Sequence, residues 1–279
     1  MTYSFTKMQG CGNDYLYFNC FDQPVEHPEQ LSVTLSDRHF GVGGDGIVLI
    51  GPSAAADAQM RMFNADGSEG NMCGNAIRCV GKYLYDRGIV KKEVLTVETK
   101  SGVKSLALHL KGGQVDTVTV QMGKAVLYPP EIPVRIDKPI VVGEPVRIGS
   151  AEYAVTCVSM GNPHCVVFCE DPYTVDLPRL GPEFENHPLF PQRVNTEFVQ
   201  VNSPSLLTMR VWERGSGETW ACGTGACAAA VAAVLNGHCD QNEDIAVKLR
   251  GGTLTIRYTD EQVYMTGPAR VVFEGVVSL

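Results

Sequence analysis

The run Ala226-Cys227-Ala228-Ala229-Ala230-Val231-Ala232-Ala233-Val234-Leu235 is strongly helix-forming and carries no charge on any face. A helix of that kind must be enclosed by protein, and the short β-branched runs around it make a curled sheet the natural enclosure. Its pattern spans 224–236 and ends at Gly237, a residue suited to a left-handed cap. A second helix is predicted over 75–87, ending at Gly88, and weaker periodicity covers 28–38 and 177–187. Strands are predicted at 58–64, 94–99, 103–110, 117–122, 153–158, 196–201, 208–213, 254–258 and 271–277.

The chain also repeats itself. Met60-Arg61-Met62-Phe63 recurs 149 positions later as Met209-Arg210-Val211-Trp212, Glu69 as Glu218, and Cys73-Gly74 as Cys222-Gly223. The same offset pairs Gly12-Asn13 with Gly161-Asn162, Gly88 with Gly237 and Gly102 with Gly251. Identities across the rest of the overlap are at the level that common residues give by chance, so the cluster around the two cysteines carries the duplication. Three strand-like runs follow each helix, closing at Met122-Gly123 and at Met265-Thr266-Gly267. A length of 279 residues suits two domains. The expected halves are 1–123, carrying Cys73, and 124–279, carrying Cys222, with strand 268–279 a candidate to complete the first. The proline-rich segment Tyr128-Pro129-Pro130-Glu131-Ile132-Pro133 reads as an extended linker.

Several function classes are disfavoured. The net charge of -8 is spread along the chain without a Lys/Arg cluster, so no nucleic-acid partner is expected. No apolar run approaches the ~20 residues of a membrane span, and the N-terminus lacks a secretory signal pattern, so a cytoplasmic location is expected. In that reducing compartment the ten cysteines are expected as thiols, and without a C-x-x-C pair no metal site is expected.

Cys73 and Cys222 each precede a helix, where unsatisfied N–H groups and the positive dipole end favour negative charge, so both are expected to ionise more readily than an ordinary thiol. Glycine follows each cysteine, leaving backbone amides open to a ligand carboxylate. With the halves packed face to face, one thiolate takes an α-proton while the other thiol returns one to the opposite face of the carbon. Helix dipoles and amides then replace the electron sink a cofactor would supply. A single buried cysteine at a helix start is ordinary packing; a repeated pair is not. His164 and Glu213, read as loop residues, would tune the thiols. Asn13, Asn64, Asn75, Asn162 and Asn195 are each turn-like, and together would line a neutral polar pocket.

Other readings remain. Gly223-Thr224-Gly225-Ala226-Cys227-Ala228 fits the dinucleotide pattern G-x-G-x-x-A, although Gly217-Glu218-Thr219-Trp220 is too polar for the preceding parallel strand. A cysteine hydrolase using His164 and an asparagine leaves the second cysteine unexplained. A non-catalytic amino-acid-binding protein would use Cys73 and Cys222 as a reversible thiol switch.

The chain resembles the diaminopimelate epimerase family over essentially its whole length. The resemblance rests on residues 5–14 (FTKMQGCGND), 63–68 (FNADGS), Met72-Cys73-Gly74-Asn75-Ala76, Gly161-Asn162-Pro163-His164 and Ala221-Cys222-Gly223-Thr224-Gly225. It implies an α+β fold of two pseudo-symmetric domains, each a curled, mostly antiparallel or mixed sheet around a central helix. It also implies a homodimer that interconverts LL- and meso-diaminopimelate without a cofactor. Carried over by position, Cys73 and Cys222 are the acid/base pair. Gly74, Asn75, Gly223 and Thr224 hold the reacting carboxylate. Asn64, Asn162, Asn195 and Arg214, with Asn13 and Glu213 nearby, read the distal end of the substrate. His164 and Glu213 modulate pKa values. Gly46, in Gly43-Gly44-Asp45-Gly46, stands where many members carry a substrate-contacting glutamine, and Cys11 fills a loop position that is usually apolar. The related proline and hydroxyproline racemases, which also use paired cysteines, are the alternative within the enzyme class; a guanidinium with several amides favours a substrate with a second charged end.

Overall fold

The computed structural model describes residues 2–278 and divides into two compact units. The first runs up to Gln121 and takes in the chain from Thr266 onward; the second is Met122–Met265.

The first unit is built from β1 (Thr2–Gly10), β2 (Asn13–Asn19), α1 (Pro28–Ser36), β3 (Gly46–Gly51), β4 (Ala58–Asn64), β5 (Glu69–Gly70), α2 (Gly74–Asp86), β6 (Val94–Thr99), β7 (Gly102–Lys111) and β8 (Gln114–Gly123). The second contains β9 (Glu144–Ile148), β10 (Ala151–Ser159), β11 (Pro163–Phe168), α3 (Leu177–Glu185), β12 (Asn195–Ser203), β13 (Leu206–Glu213), β14 (Gly217–Glu218), α4 (Gly223–Leu235), β15 (Asp244–Leu249) and β16 (Gly252–Tyr258). β17 (Val263–Pro268) carries the chain back across the division, and β18 (Arg270–Ser278) pairs antiparallel with β1.

Both units are mixed α+β sheets built by the same rules. In the first, β1 and β2 are antiparallel, β2 and β3 parallel, β3 and β4 antiparallel, β4 and β6 parallel, and β6 and β7 antiparallel. In the second, β10 through β16 repeat that order of steps. Each parallel step is bridged by a helix, as a crossover requires: α1 and α2 in the first unit, α3 and α4 in the second. α2 and α4 lie 149 residues apart at both ends. The repeated arginine and glutamate make the same contact twice, Arg61 Nε to Glu69 Oε1 and Arg210 Nε to Glu218 Oε1, both at 2.8 Å.

The uncharged helix is enclosed as its sequence demands. Ala226, Cys227, Ala228, Ala229, Ala230, Val231, Ala232 and Ala233 are all 0% exposed, and α4 packs on β10, β11, β12, β13, β15 and β16. α2 takes the corresponding place against β1, β2, β6 and β7. Its buried polar residues need partners: Lys82 Nζ donates to Asp86 Oδ2 at 2.7 Å and to the Val115 carbonyl at 2.6 Å. Both helices end as expected, with Gly88 at φ 70° and Gly237 at φ 74°.

The opposite sheet faces are covered by the shorter helices. Phe5, Leu16, Phe18, Ile47 and Phe63 pack with Leu31 and Leu35 of α1. In the second unit Phe184 of α3 packs with Phe198, Val167 and Cys165. The segment expected to be extended at 128–133 forms a 3-10 turn at Pro129–Glu131 instead, and Ile132 and Val134 join this second cluster. Two apolar side chains able to reach an exposed sheet face outweigh the local preference of prolines for extended backbone.

Candidate active site

Each cysteine caps a helix. Cys73 is the N-cap of α2 with extended backbone (φ -128°, ψ 120°), and Cys222 is the N-cap of α4 (φ -109°, ψ 109°). In both, the amide three residues on donates to the sulfur: Ala76 N at 3.5 Å from Cys73 Sγ, and Gly225 N at 3.3 Å from Cys222 Sγ. One of the four unsatisfied N–H groups of each helix thus faces a thiol, while the first-turn residues Gly74, Asn75, Gly223 and Thr224 follow directly. The short strands β5 and β14, paired to β4 and β13, set the angle at which the chain enters each helix.

Around Cys73 the structure gathers Asn13, Asn75 and a residue the sequence reading missed, Asp45. Cys73 Sγ donates to Asn13 Oδ1 at 3.2 Å, and Asn13 Nδ2 donates to Asp45 Oδ2 at 2.7 Å. Burial, reinforced by the Asp14 charge, pushes the Asp45 carboxyl up from the ordinary aspartate value. For Asp14 burial also opposes ionisation, but bonds from Arg38 and Lys7 prevail and hold it low. Asn75 is buried, and its Oδ1 accepts from Arg78 Nη2 at 2.8 Å. Asn64 ends β4 and is occupied with its own turn, Nδ2 donating to Ser68 Oγ at 3.0 Å. Cys11 is 2% exposed in the β1–β2 turn, so the departure from an apolar residue is accommodated by burial, which also raises its thiol pKa.

Gly46 lies opposite Asn64 in the β3–β4 register. A Cβ there would stand 2.0 Å from the Phe63 carbonyl oxygen and 2.9 Å from the Tyr15 ring, so this backbone has no room for a glutamine. Gly46→Gln is therefore expected to destabilise the protein by about 1–3 kcal/mol, a fall in thermal midpoint of roughly 2–4 °C per kcal/mol. An unchanged midpoint in a melting experiment would show that β3 can absorb the side chain.

Around Cys222 the groups are more numerous. His164 is a strand residue, correcting the expectation of a loop: it is the second residue of β11 and 0% exposed, whereas Glu213 ends β13 as it ends the strand predicted at 208–213. Pro163, which lacks an N–H, opens β11 at the position where a strand tolerates it. His164 Nε2 lies 3.1 Å from Asn162 Oδ1, Asn162 Nδ2 donates to Thr224 Oγ1 at 3.3 Å, and Thr224 Oγ1 is 3.5 Å from Cys222 Sγ. Asn195 is buried and works as a tie, its Nδ2 donating to the Pro163 carbonyl and its Oδ1 accepting the Arg214 amide. Arg214 in turn rests one guanidinium N–H on the Gln192 carbonyl at 2.9 Å.

Glu197 is the second residue the sequence reading missed. It is 0% exposed and its Oε1 lies 2.7 Å from His164 Nδ1. The available signal was a charged residue inside the buried run Asn195-Thr196-Glu197-Phe198-Val199.

At Cys222 burial opposes the ionisation that a helix N-terminus favours. Burial raises the Cys222 pKa well above the ordinary thiol value, the charges of Glu213 and Glu197 add to that, and the bonds from Thr224 and Gly225 offset only part. Glu213 is itself pushed up, chiefly by burial, against the bond from Thr219 and the charge of His164. The glycine motif of α4 follows a two-residue strand antiparallel to β13, not the long parallel strand of a dinucleotide fold.

The sequence profile described as "Diaminopimelate epimerase" matches residues 5–128 and 156–272. The diaminopimelate epimerase of Acetivibrio thermocellus is 56% identical over 277 residues, covering 99% of this chain and 98% of that protein. That of Methanococcus maripaludis is 50% identical over 277 residues, with 99% of each covered. Among solved structures, a PhzF-family phenazine biosynthesis protein of Bacillus anthracis superposes with a TM-score of 0.71 at 16% identity, with 100% of both chains covered. A hydroxyproline epimerase from Agrobacterium vitis gives 0.70 at 14% identity, covering 99% of this chain and 91% of that one. At such identities these two likenesses speak for the fold, whereas the family match spans most of the sequence, including both cysteines: this chain belongs to the diaminopimelate epimerase family.

Proposed function

We propose that this protein interconverts LL- and meso-diaminopimelate by proton transfer between two cysteines, without a cofactor. Cys73 and Cys222 are the acid/base pair, one accepting the α-proton as thiolate and the other supplying a proton to the opposite face of the carbon. The amides of Gly74, Asn75, Gly223 and Thr224 hold the reacting carboxylate, where they stabilise the charge that develops on it. Asn13, Asn64, Asn162, Asn195, Glu213 and Arg214 bind the rest of the substrate, and His164 with Glu213 tunes Cys222. The carrying observation is the repetition: two sulfurs, 149 residues apart, each capping a helix with the third amide bonded back to it. The two epimerase halves are 1–123 with strand 268–279, and the remainder of the chain.

The enzyme acts in the cytoplasm as a homodimer. No helix among the described residues is long and apolar enough to cross a membrane, and exposed Val271, Val272, Phe273 and Val276 on β18 offer apolar surface to a second copy. The test is incubation of LL-diaminopimelate with the purified protein in deuterated water without added cofactor. The expected product is meso-diaminopimelate carrying deuterium at the inverted carbon, while unreacted substrate at early times keeps its protium. No turnover, or turnover only with pyridoxal phosphate, would overturn the reading.

A further inference from the structure

Arg214, the guanidinium assigned above to the far end of the substrate, sits on a turn that is held from both sides. Its own amide donates to Asn195 Oδ1 at 2.9 Å, and its Nη1 donates to the Gln192 carbonyl at 2.9 Å. The next amide, that of Gly215, donates to Glu185 Oε1 at 2.9 Å, and the same oxygen accepts Arg193 Nη1 at 3.0 Å. Glu185 Oε2 accepts the indole N–H of Trp212 at 2.7 Å. A backbone amide, a guanidinium and an indole can only donate, so the direction of all three bonds is fixed by the residue types. Glu185 is the last residue of α3 and is buried, and a Cβ at Gly181, one turn earlier, would stand 2.2 Å from the Trp212 ring. The helix therefore presses directly on the indole it bonds. Arg193 and Gly215 both lie in left-handed backbone, at φ 59° and 80°, a conformation uncommon for a residue with a Cβ. One carboxylate thus ties the turn around Arg193 to the turn that carries Arg214, and both to α3.

The first unit shows that the fold itself does not need this cluster. α1 and α3 lie 149 residues apart at both ends, and at that offset Ser36 stands for Glu185, Gly44 for Arg193, Phe63 for Trp212 and Ala65 for Arg214. Ser36 Oγ is buried without a hydrogen-bond partner among the described residues, so the duplicated helix makes no such tie. The carboxylate, the indole N–H and the two guanidiniums occur together in one half and are replaced together in the other. We propose that Glu185 is a positioning residue for Arg214: by holding the turns on either side of that guanidinium it fixes the group that meets a carboxylate at the far end of the substrate, and so sets the preference for an amino acid with a second carboxylate. The inference rests on the assignment of Arg214 to the distal end of diaminopimelate.

The test is a double-mutant cycle of Glu185→Leu and Arg214→Ala on the whole enzyme. Leucine fills the space of the carboxylate but offers no acceptor to Gly215, Arg193 or Trp212. KM for diaminopimelate is expected to rise about tenfold or more in Glu185→Leu, with kcat changed less than about threefold, the pattern of lost ground-state binding. In the Arg214→Ala background the same substitution should change KM less than about twofold, because the residue it positions is gone. Normal KM in Glu185→Leu, full additivity, or a fall in kcat as large as the rise in KM would overturn the proposal. Should Glu185→Leu fail to fold, Glu185→Gln takes its place in each measurement: it offers one oxygen to three donors, so KM is expected to rise about threefold or more, and a smaller rise counts against the idea. Nitrogen relaxation NMR of the Arg214 Nε–H group reads the positioning without turnover. That group is expected to be rigid in the unsubstituted protein and mobile in the Glu185 variant, and equal mobility in both sinks the proposal. A protein that shows this loss of rigidity but does not epimerise diaminopimelate would refute the proposed function while supporting the positioning of Arg214 by Glu185.

Discussion

Alanine at Cys73 or at Cys222 is expected to abolish epimerisation, lowering kcat by about 10²–10⁴-fold, the range for loss of a positioned general acid or base. A sharper outcome separates two bases from one. Each variant keeps one proton acceptor, so it should still exchange the α-hydrogen of one diastereomer with solvent while being unable to deliver a proton to the other face. The two variants should therefore exchange opposite diastereomers. Proton NMR in deuterated water reads this directly, as loss of the α-proton signal from one isomer without appearance of the other. Exchange of both isomers by either variant, or turnover above about a tenth of normal, would mean that a second group or water serves in place of the missing sulfur.

The environment of Cys222 bears on which role it starts in. Its thiol is driven up first by burial and then by Glu213 and Glu197, and the amide of Gly225 with the hydroxyl of Thr224 is too little to reverse this. In the proposed mechanism burial would favour Cys222 as the acid in one direction of the interconversion, while the helix N-terminus and Thr224 would act mainly once it has given up its proton. Such an arrangement favours a thiolate that exists only briefly: desolvation keeps the proton in place, and preorganised donors lower the barrier to losing it.

Much of this could be read from the chain itself, and the reasons are specific. α4 was legible because ten residues without charge admit one environment, and both central helices because Gly88 and Gly237 mark their ends. The cysteines were legible as a repeated pair. β3 escaped notice because its residues are buried on both faces and show no alternation. β11 begins at a proline and carries a histidine, a composition that reads as a turn. Glu197 showed only as a charge inside an otherwise uncharged strand and Asp45 not at all, since what makes a buried carboxylate tolerable is a partner distant in sequence. His164 reaches Glu197 only because β11 and β12 run parallel with His164 opposite Asn195. Asp45 matters only because the turn before β3 returns to Asn13.

Arg78 is the residue whose loss should cost most stability. It is 0% exposed inside α2, and its guanidinium ties the first turn of its own helix to a second segment: Nη1 bonds to the Gly74 carbonyl at 3.1 Å, Nη2 to Asn75 Oδ1 at 2.8 Å, and Nε to the Pro268 carbonyl at 3.2 Å. A Cβ at Gly10 would lie 2.9 Å from Nη2, so the turn leading to Cys11 and Asn13 is packed directly on it. Arg78→Met would keep most of the apolar stem but leave buried acceptors without donors, each costing about 1–3 kcal/mol. The expected loss is about 3–5 kcal/mol, or roughly 10 °C in thermal midpoint for a chain of this size. Arg78→Lys should recover little, because a single ammonium cannot span acceptors arranged for a planar fork. The effect should also reach the chemistry, since the same guanidinium orients Asn75 in the first turn after Cys73 and supports the turn that carries Asn13. A midpoint within about 2 °C of the unsubstituted protein would show that water or a neighbouring donor satisfies those acceptors, and that the guanidinium does not organise this site.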